Sequence, residues 1–168
     1  HQIFAVLLDL MSERGGGGSV VKTFTVSRLI DRLARGRGLE LVETPVGFKH
    51  IVDRMLAGEV LIGGEESGGI GVRGHIPERD GIANTLLLLE ALARSGEDLE
   101  GVFARLEREA GMSHAYDRLD LELERAGELL PVMRRLATGP ERFAGREVES
   151  VEDLDGIKLN FEVGAWLL

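Results

Sequence analysis

Across residues 19–95, short strand-like runs alternate with amphipathic helical stretches, and that alternation leaves few folds open. Residues 19–25 (SVVKTFT), 39–43 (LELVE) and 59–62 (EVLI) have the β-branched and aliphatic composition of strands. Between them, Leu29, Ile30, Leu33 and Ala34 form one helical stripe, with Ser27 placed to cap it, and Phe48, Ile51, Val52, Met55 and Leu56 form another. Strands joined by helices run parallel, because the chain must cross back over the sheet before pairing again. The pattern therefore predicts a largely parallel sheet between helices.

The flanking segments extend this plan. Residues 2–14 carry a helical stripe of Ile3, Leu7, Leu8, Leu10 and Met11, and the glycines at 15–18 end it. Residues 70–72 fit a short fourth strand. Asp80 caps a long apolar helix running through Ala93, and residues 98–110 make another, with Leu99, Val102, Phe103 and Leu106 inward and Gly111 as its stop. A boundary is expected at 111–114, dividing a first domain at 1–112 from a second piece at 113–168. In that second piece, 118–124 (RLDLELE) alternates like a strand with one solvated face, and 127–138 reads as a helix that tolerates Pro131 in its first turn. Residues 148–154 are mixed, and 156–168 (GIKLNFEVGAWLL) read as a hairpin turning at 162–164.

Charge narrows the partners. The net charge of -9 is uneven: residues 1–80 hold 11 acids and 10 bases, and residues 81–168 hold 18 acids and 10 bases. An overall negative field with 5% aromatic residues disfavours nucleic acid, while a small phosphorylated ligand in the first half stays open. Only three of the basic residues are lysine (Lys22, Lys49 and Lys158), so Lys22 and Lys49 stand out in the first half. With no Cys, disulfides, Cys-ligated zinc and a Cys nucleophile are excluded. No apolar run, 86–89 included, approaches the ~18 residues that cross a bilayer, so no membrane partner and a cytoplasmic location are expected. A start at His1 without Met and an apolar end at 165–168 read as a piece cut from a longer protein.

The most informative stretch is 63–69 (GGEESGG), a glycine-rich loop at the end of an apolar strand, where a backbone is brought close to something. Two carboxylates inside the loop oppose direct phosphate binding but suit hydroxyls. On an extended loop Glu65 and Ser67 would share one side, with Glu66 opposite, which fits a polyol such as a sugar. A metal held by Glu65 and Glu66 and a merely solvated turn are the alternatives. Lys49 is spaced to pair with Asp53 on its helix as readily as to meet a ligand. His50 and His114 read as structural, the acids at 120, 122 and 124 as a solvated strand face, and no Ser–His–acid arrangement is visible around Ser67.

Taken together, VVKTFTVSRLIDRLA, ETPVGFKHI, LIGGEESGG and GHIPERDGIANTLLLLEAL resemble the third domain of the α-D-phosphohexomutases, the phosphoglucomutase and phosphomannomutase family. The resemblance covers about the first 110 residues, and GEESGG with TPVGFK is a specific combination. DGIKLNFEVGAWLL is similar to the opening of the family's fourth domain. The implied fold class is α/β: a three-layer α/β/α domain with a four-stranded mixed, mostly parallel sheet whose fourth strand is antiparallel, then an incomplete α+β piece.

The implied chemistry moves a phosphoryl group between the 1 and 6 oxygens of a hexose. It uses an enzyme phosphoserine, Mg2+ and a hexose bisphosphate activator. By this resemblance Glu65 and Ser67 hold sugar hydroxyls, and Val46 and Gly47 approach the sugar through their backbone, Val46 standing where relatives carry Thr. Lys49 and Arg79 are assigned to the distal phosphate or its surroundings. Arg79 replaces a Lys common in relatives, which keeps the charge but puts a general-base role in doubt. The phosphoserine, metal and C-terminal phosphate loops of the family are absent, so no catalytic or metal-binding residue is assigned here and the chain alone is expected to be inactive. Its expected partners are a phosphorylated hexose and the missing domains. A non-catalytic carbohydrate-binding or regulatory module is the competing reading.

Overall fold

The structure, a computed structural model, describes the chain apart from residues 16, 120, 121, 123, 124, 126, 128, 163 and 168, and residues 164–167 by their backbone alone. It divides into two compact units, His1–His114 and Ala115–Leu168. In the first unit the order is α1 (Gln2–Glu13), β1 (Ser19–Thr23), α2 (Arg28–Gly36), β2 (Leu41–Thr44), α3 (Lys49–Leu56), β3 (Val60–Gly64), β4 (Ile70–Val72), α4 (Gly81–Ser95) and α5 (Leu99–Ala110). The strands form one sheet in the order β2-β1-β3-β4. β1 pairs in parallel with β2 and β3, and β4 returns antiparallel to β3. This is the mixed, mostly parallel four-stranded sheet that the sequence and its resemblance led us to expect.

Burial explains why the runs read as strands without strict alternation. β1 and β3 are central and buried along their whole length, as interior strands covered on both faces must be. On one face, Phe4, Leu7 and Leu8 of α1, Leu29, Ile30 and Leu33 of α2, and Val102 and Leu106 of α5 close a large apolar core with Val20 and Ile62. On the other, Val21 and Val60 pack with Phe48 and Ile51. The caps fall where the side chains dictate: the Ser27 hydroxyl accepts from Leu29 N–H, Asp80 from Ile82 and Ala83 N–H, and Asp98 from Gly101 N–H.

Two central glycines are demanded by packing. A Cβ on Gly63 would collide with the Ile51 methyl, and one on Gly64 would lie 2.8 Å from the Phe4 ring. Gly64→Ala is therefore expected to lower unfolding free energy by about 1–3 kcal/mol through overpacking. Urea denaturation checks this, with an unchanged midpoint as the contrary result.

The second unit contains α6 (Leu129–Ala137), a small hairpin of β5 (Arg142–Phe143) and β6 (Arg146–Glu147), and an antiparallel sheet of β7 (Ser150–Glu152), β8 (Lys158–Phe161) and β9 (Gly164–Leu167). Leu136, Ile157, Leu159 and Phe161 form its core. Pro131 sits in the first turn of α6, where its missing N–H costs nothing. The expected strand over 118–124 falls partly outside the described residues, and Arg118, Leu119 and Glu122 are not in a strand. Alternation alone misleads there, because no neighbouring strand pairs with these described residues. The β5–β6 hairpin escaped the sequence reading. Its turn places Ala144 at φ 48 and Gly145 at φ 80, and the first of these left-handed positions carries no glycine to announce it.

Candidate functional site

The carboxyl ends of β1, β2 and β3 lie on one edge of the sheet, and the segments leaving them converge. Ligands collect beyond the carboxyl ends of strands in sheets of this kind. Three contacts tie the segments together. Glu65, the first residue after β3, accepts a hydrogen bond from the backbone N–H of Gly47 in the loop after β2. Its Oε2 lies 3.6 Å from the Arg79 guanidinium, which comes from the segment before α4. Glu66 accepts a hydrogen bond from the Thr25 hydroxyl in the loop after β1.

Glycine makes this approach feasible. Gly47 has φ +125, a conformation that a side chain would strain. A Cβ on Gly69 would stand 2.6 Å from Arg79 Cδ and 2.8 Å from Glu65 Oε2, so only glycine leaves room for the pair. The Arg79 guanidinium also lies 5.3 Å from the centroid of the Phe48 ring and bonds Glu78 at 3.3 Å. A cation stacked on an aromatic face and held by two carboxylates is directed rather than free to swing. Next to it, Asp80 Oδ2 lies 2.8 Å from His75 Nε2 while Oδ1 caps α4, which anchors the segment carrying Arg79.

The structure brings together Gly47, Glu65 and Arg79 and sets Lys49 beside them, its methylenes about 4.0 Å from where a Gly47 Cβ would be. Val46 is exposed in the same loop. Ser67 is exposed at the tip of the glycine-rich turn. The loop is not extended, which corrects the placement of Glu65 and Ser67 on one side by alternation. Glu65 N–H bonds Gly69 O, Gly68 N–H bonds Glu65 O, and Gly68 takes φ +93, because antiparallel β4 requires the chain to reverse within five residues. The two glutamates nevertheless diverge to different partners, Glu65 toward Gly47 and Arg79 and Glu66 toward Thr25. That divergence does not fit a divalent cation shared between them. Among the described residues no group of three or more His, Asp or Glu side chains is placed to hold a metal.

Lys49 makes no ion pair with Asp53 among the described residues, so its helix does not consume its charge. Lys22 does the opposite. It is 1% exposed, with Nζ 2.6 Å from Asp31 and 3.0 Å from Glu43. Its scarcity in the sequence marked a structural cation. The Phe48 ring beneath Arg79 and the Glu65–Gly47 bond were invisible in the sequence, since each joins segments whose approach is set by the sheet, and the local His75–Asp80 pair carries no motif that announces it.

Burial pushes the Glu65 carboxyl above the usual carboxylate range, a pull that nearby Arg79 only partly offsets. The native state therefore holds this proton more tightly than the unfolded chain does. The stabilising contribution is complete at low pH and is lost as pH rises through the ordinary carboxylate range to the raised native value. Glu65→Gln, which keeps an acceptor for Gly47, is expected to melt at higher temperature than the parent at pH 7, with the gap closing toward pH ~4. Thermal melts across that range check the sign, and a lower melting temperature at pH 7 would contradict it.

An α/β/α domain with a turn-borne carboxylate and an oriented arginine at the strand ends defines the class of site, and comparison with known proteins supplies the family. Residues 1–109 match the family model described as phosphoglucomutase/phosphomannomutase, alpha/beta/alpha domain III. The chain belongs to that family. It is 27% identical over 165 residues to a phosphoglucomutase/phosphomannomutase of Thermococcus kodakarensis, covering 98% of this chain and 34% of that protein. It is 35% identical over 130 residues to a phosphoglucosamine mutase of Rubrobacter xylanophilus, covering 75% of this chain and 28% of the relative. A solved structure from Thermus thermophilus, assigned as a phosphomannomutase, superposes with a TM-score of 0.84 at 40% identity, covering 99% of this chain and 34% of that one. The chain thus spans about a third of the length of these relatives. Among the described residues no helix is long and apolar enough to cross a membrane.

Proposed function

We propose that this chain is the sugar-recognition part of a phosphohexomutase that moves a phosphoryl group between the 1 and 6 positions of a hexose. The observation that carries the reading is the junction of Gly47, Glu65 and Arg79 at the strand ends, together with membership of a family whose relatives are mutases of phosphorylated sugars. Glu65 is an acceptor for sugar hydroxyls. Its carboxylate is held in place by Gly47 N–H and keeps lone pairs for a ligand. Ser67, exposed at the turn tip, offers a second hydroxyl contact, and the backbone of Val46 and Gly47 forms the facing wall. Arg79 and Lys49 supply the positive charge that a sugar phosphate requires beside two glutamates.

Arg79 offers a planar fork of N–H donors and no acceptor, which suits it to bind and orient a phosphate rather than to take up a proton. The phosphoserine lies in a part of the protein outside this chain, and the hexose bisphosphate activator is a requirement of the full-length enzyme. Mg2+ belongs there too, since the acids here are already committed to other partners. Cytoplasmic location follows from the phosphorylated substrate. The test is to assay both the full-length protein and the 168-residue chain with hexose 1-phosphate, bisphosphate activator and Mg2+. Turnover by the full-length protein and none by the chain is expected. Turnover by the chain alone, or none by the full-length protein with any hexose or amino-sugar phosphate, would sink the reading.

A further inference from the structure

The helix α4 is apolar on the side that faces solvent as well as on the side that faces the core. Leu87, Leu88, Ala91 and Leu92 pack inward. Ile82, Leu86 and Leu89 are 79%, 63% and 58% exposed, and they recur at the spacing that puts side chains on one face of a helix. Thr85 and Ala93 complete that face, so it carries no charge. The nearest charges are already spent, Glu90 being paired with Arg14 and with Arg94. A helix that is apolar all round is ordinarily buried, and exposed apolar surface of this kind marks an interaction site.

We infer that the Ile82–Leu86–Leu89 stripe is the docking face for the domain that precedes this one in the full-length protein. Two observations select that occupant. The matching family model describes residues 1–109 as the third domain, which places two domains ahead of it. The chain also covers only 34% of the Thermococcus relative, so most of such a protein lies outside it. The preceding domain must present an uncharged apolar surface to match the stripe. The inference rests on family membership and not on the sugar reading, so it and the mutase assay fail independently.

The absence of cysteine from the chain makes the test direct. Leu86→Cys and, as a control on the 70% exposed position of α3, Leu56→Cys are made in three forms: the 168-residue chain, the chain extended upstream through the preceding domain, and the full-length protein. Maleimide labelling at each position is followed by mass spectrometry. In the 168-residue chain both cysteines should react at similar rates. In the extended and full-length forms Leu86→Cys should react at least about tenfold more slowly, while Leu56→Cys is unchanged. Equal rates in all forms would overturn the inference. So would protection of Leu86→Cys already present in the 168-residue chain, or present only once downstream sequence is added. Protection in the short chain that grows with its concentration would assign the stripe to a second copy instead. Leu86→Ser, read by hydrogen exchange of α4 amides in the same forms, repeats the comparison if the cysteine variant fails to fold.

Discussion

Lys22→Ala is expected to cost about 3–5 kcal/mol of unfolding free energy, the largest single effect foreseen for a side chain here. Lys22 lies in the central strand β1 at 1% exposure, its ammonium shared between Asp31 of α2 and Glu43 of β2 and also donating to Val26 O at 3.3 Å. Removing it takes the shared ammonium away from two partly buried carboxylates, which are then left close to a site that has lost its positive charge. A domain of this size is stabilised by only about 5–15 kcal/mol, so much of the total is at stake. The pair is not thereby shown to be a net gain over an apolar core, since truncation measures the cost of stranding its partners. Combining Lys22→Met with Asp31→Asn and Glu43→Gln separates the two ideas. The triple variant should recover most of the loss in urea denaturation at pH 7. A Lys22→Ala midpoint equal to that of the parent would contradict the ion-pair account.

Glu65→Ala in the full-length protein is expected to lower kcat/KM for its sugar phosphate by about 10- to 150-fold, the equivalent of ~1.5–3 kcal/mol for hydrogen bonds to a charged group. Two losses combine. The sugar loses its charged acceptor, and Arg79 loses one of the carboxylates that aim it. Ser67→Ala should cost less, about 0.5–1.5 kcal/mol, because its hydroxyl is neutral and exposed. Steady-state kinetics with several hexose and amino-sugar phosphates give both numbers. Unchanged constants for Glu65→Ala would remove it from the site.

The two variants probe different kinds of information in the sequence. The order of β1 to β4 and the helices between them was legible because the strands are short β-branched or aliphatic runs set apart by helical stripes or a glycine-rich turn, and local composition carries that. Ser27 and Asp80 were legible as caps for the same local reason. The role of Lys22 was not, because its partners come from α2 and β2 and meet only when β1 takes the centre of the sheet. The stretch at 63–69 stood out by its glycines, but an alternating extended geometry was the wrong inference. Antiparallel β4 forces a tight turn there, and pairing direction leaves no mark in seven residues. Val46 entered through the family resemblance, Lys49 through the scarcity of lysine and Ser67 through its spacing from Glu65, and their side chains are exposed in the structure. Gly47, Glu65 and Arg79 are joined by contacts that the fold itself imposes.

The most direct measurement is a crystal structure of the full-length protein with a hexose 1,6-bisphosphate bound. The account predicts sugar hydroxyls within hydrogen-bond distance, ~2.6–3.2 Å, of the Glu65 carboxylate and the Ser67 hydroxyl, with the Gly47 backbone alongside and a phosphate near Arg79 or Lys49. A sugar held elsewhere, with Glu65 still engaged only by Gly47 and Arg79 and no ligand atom near the turn at 65–69, would contradict it.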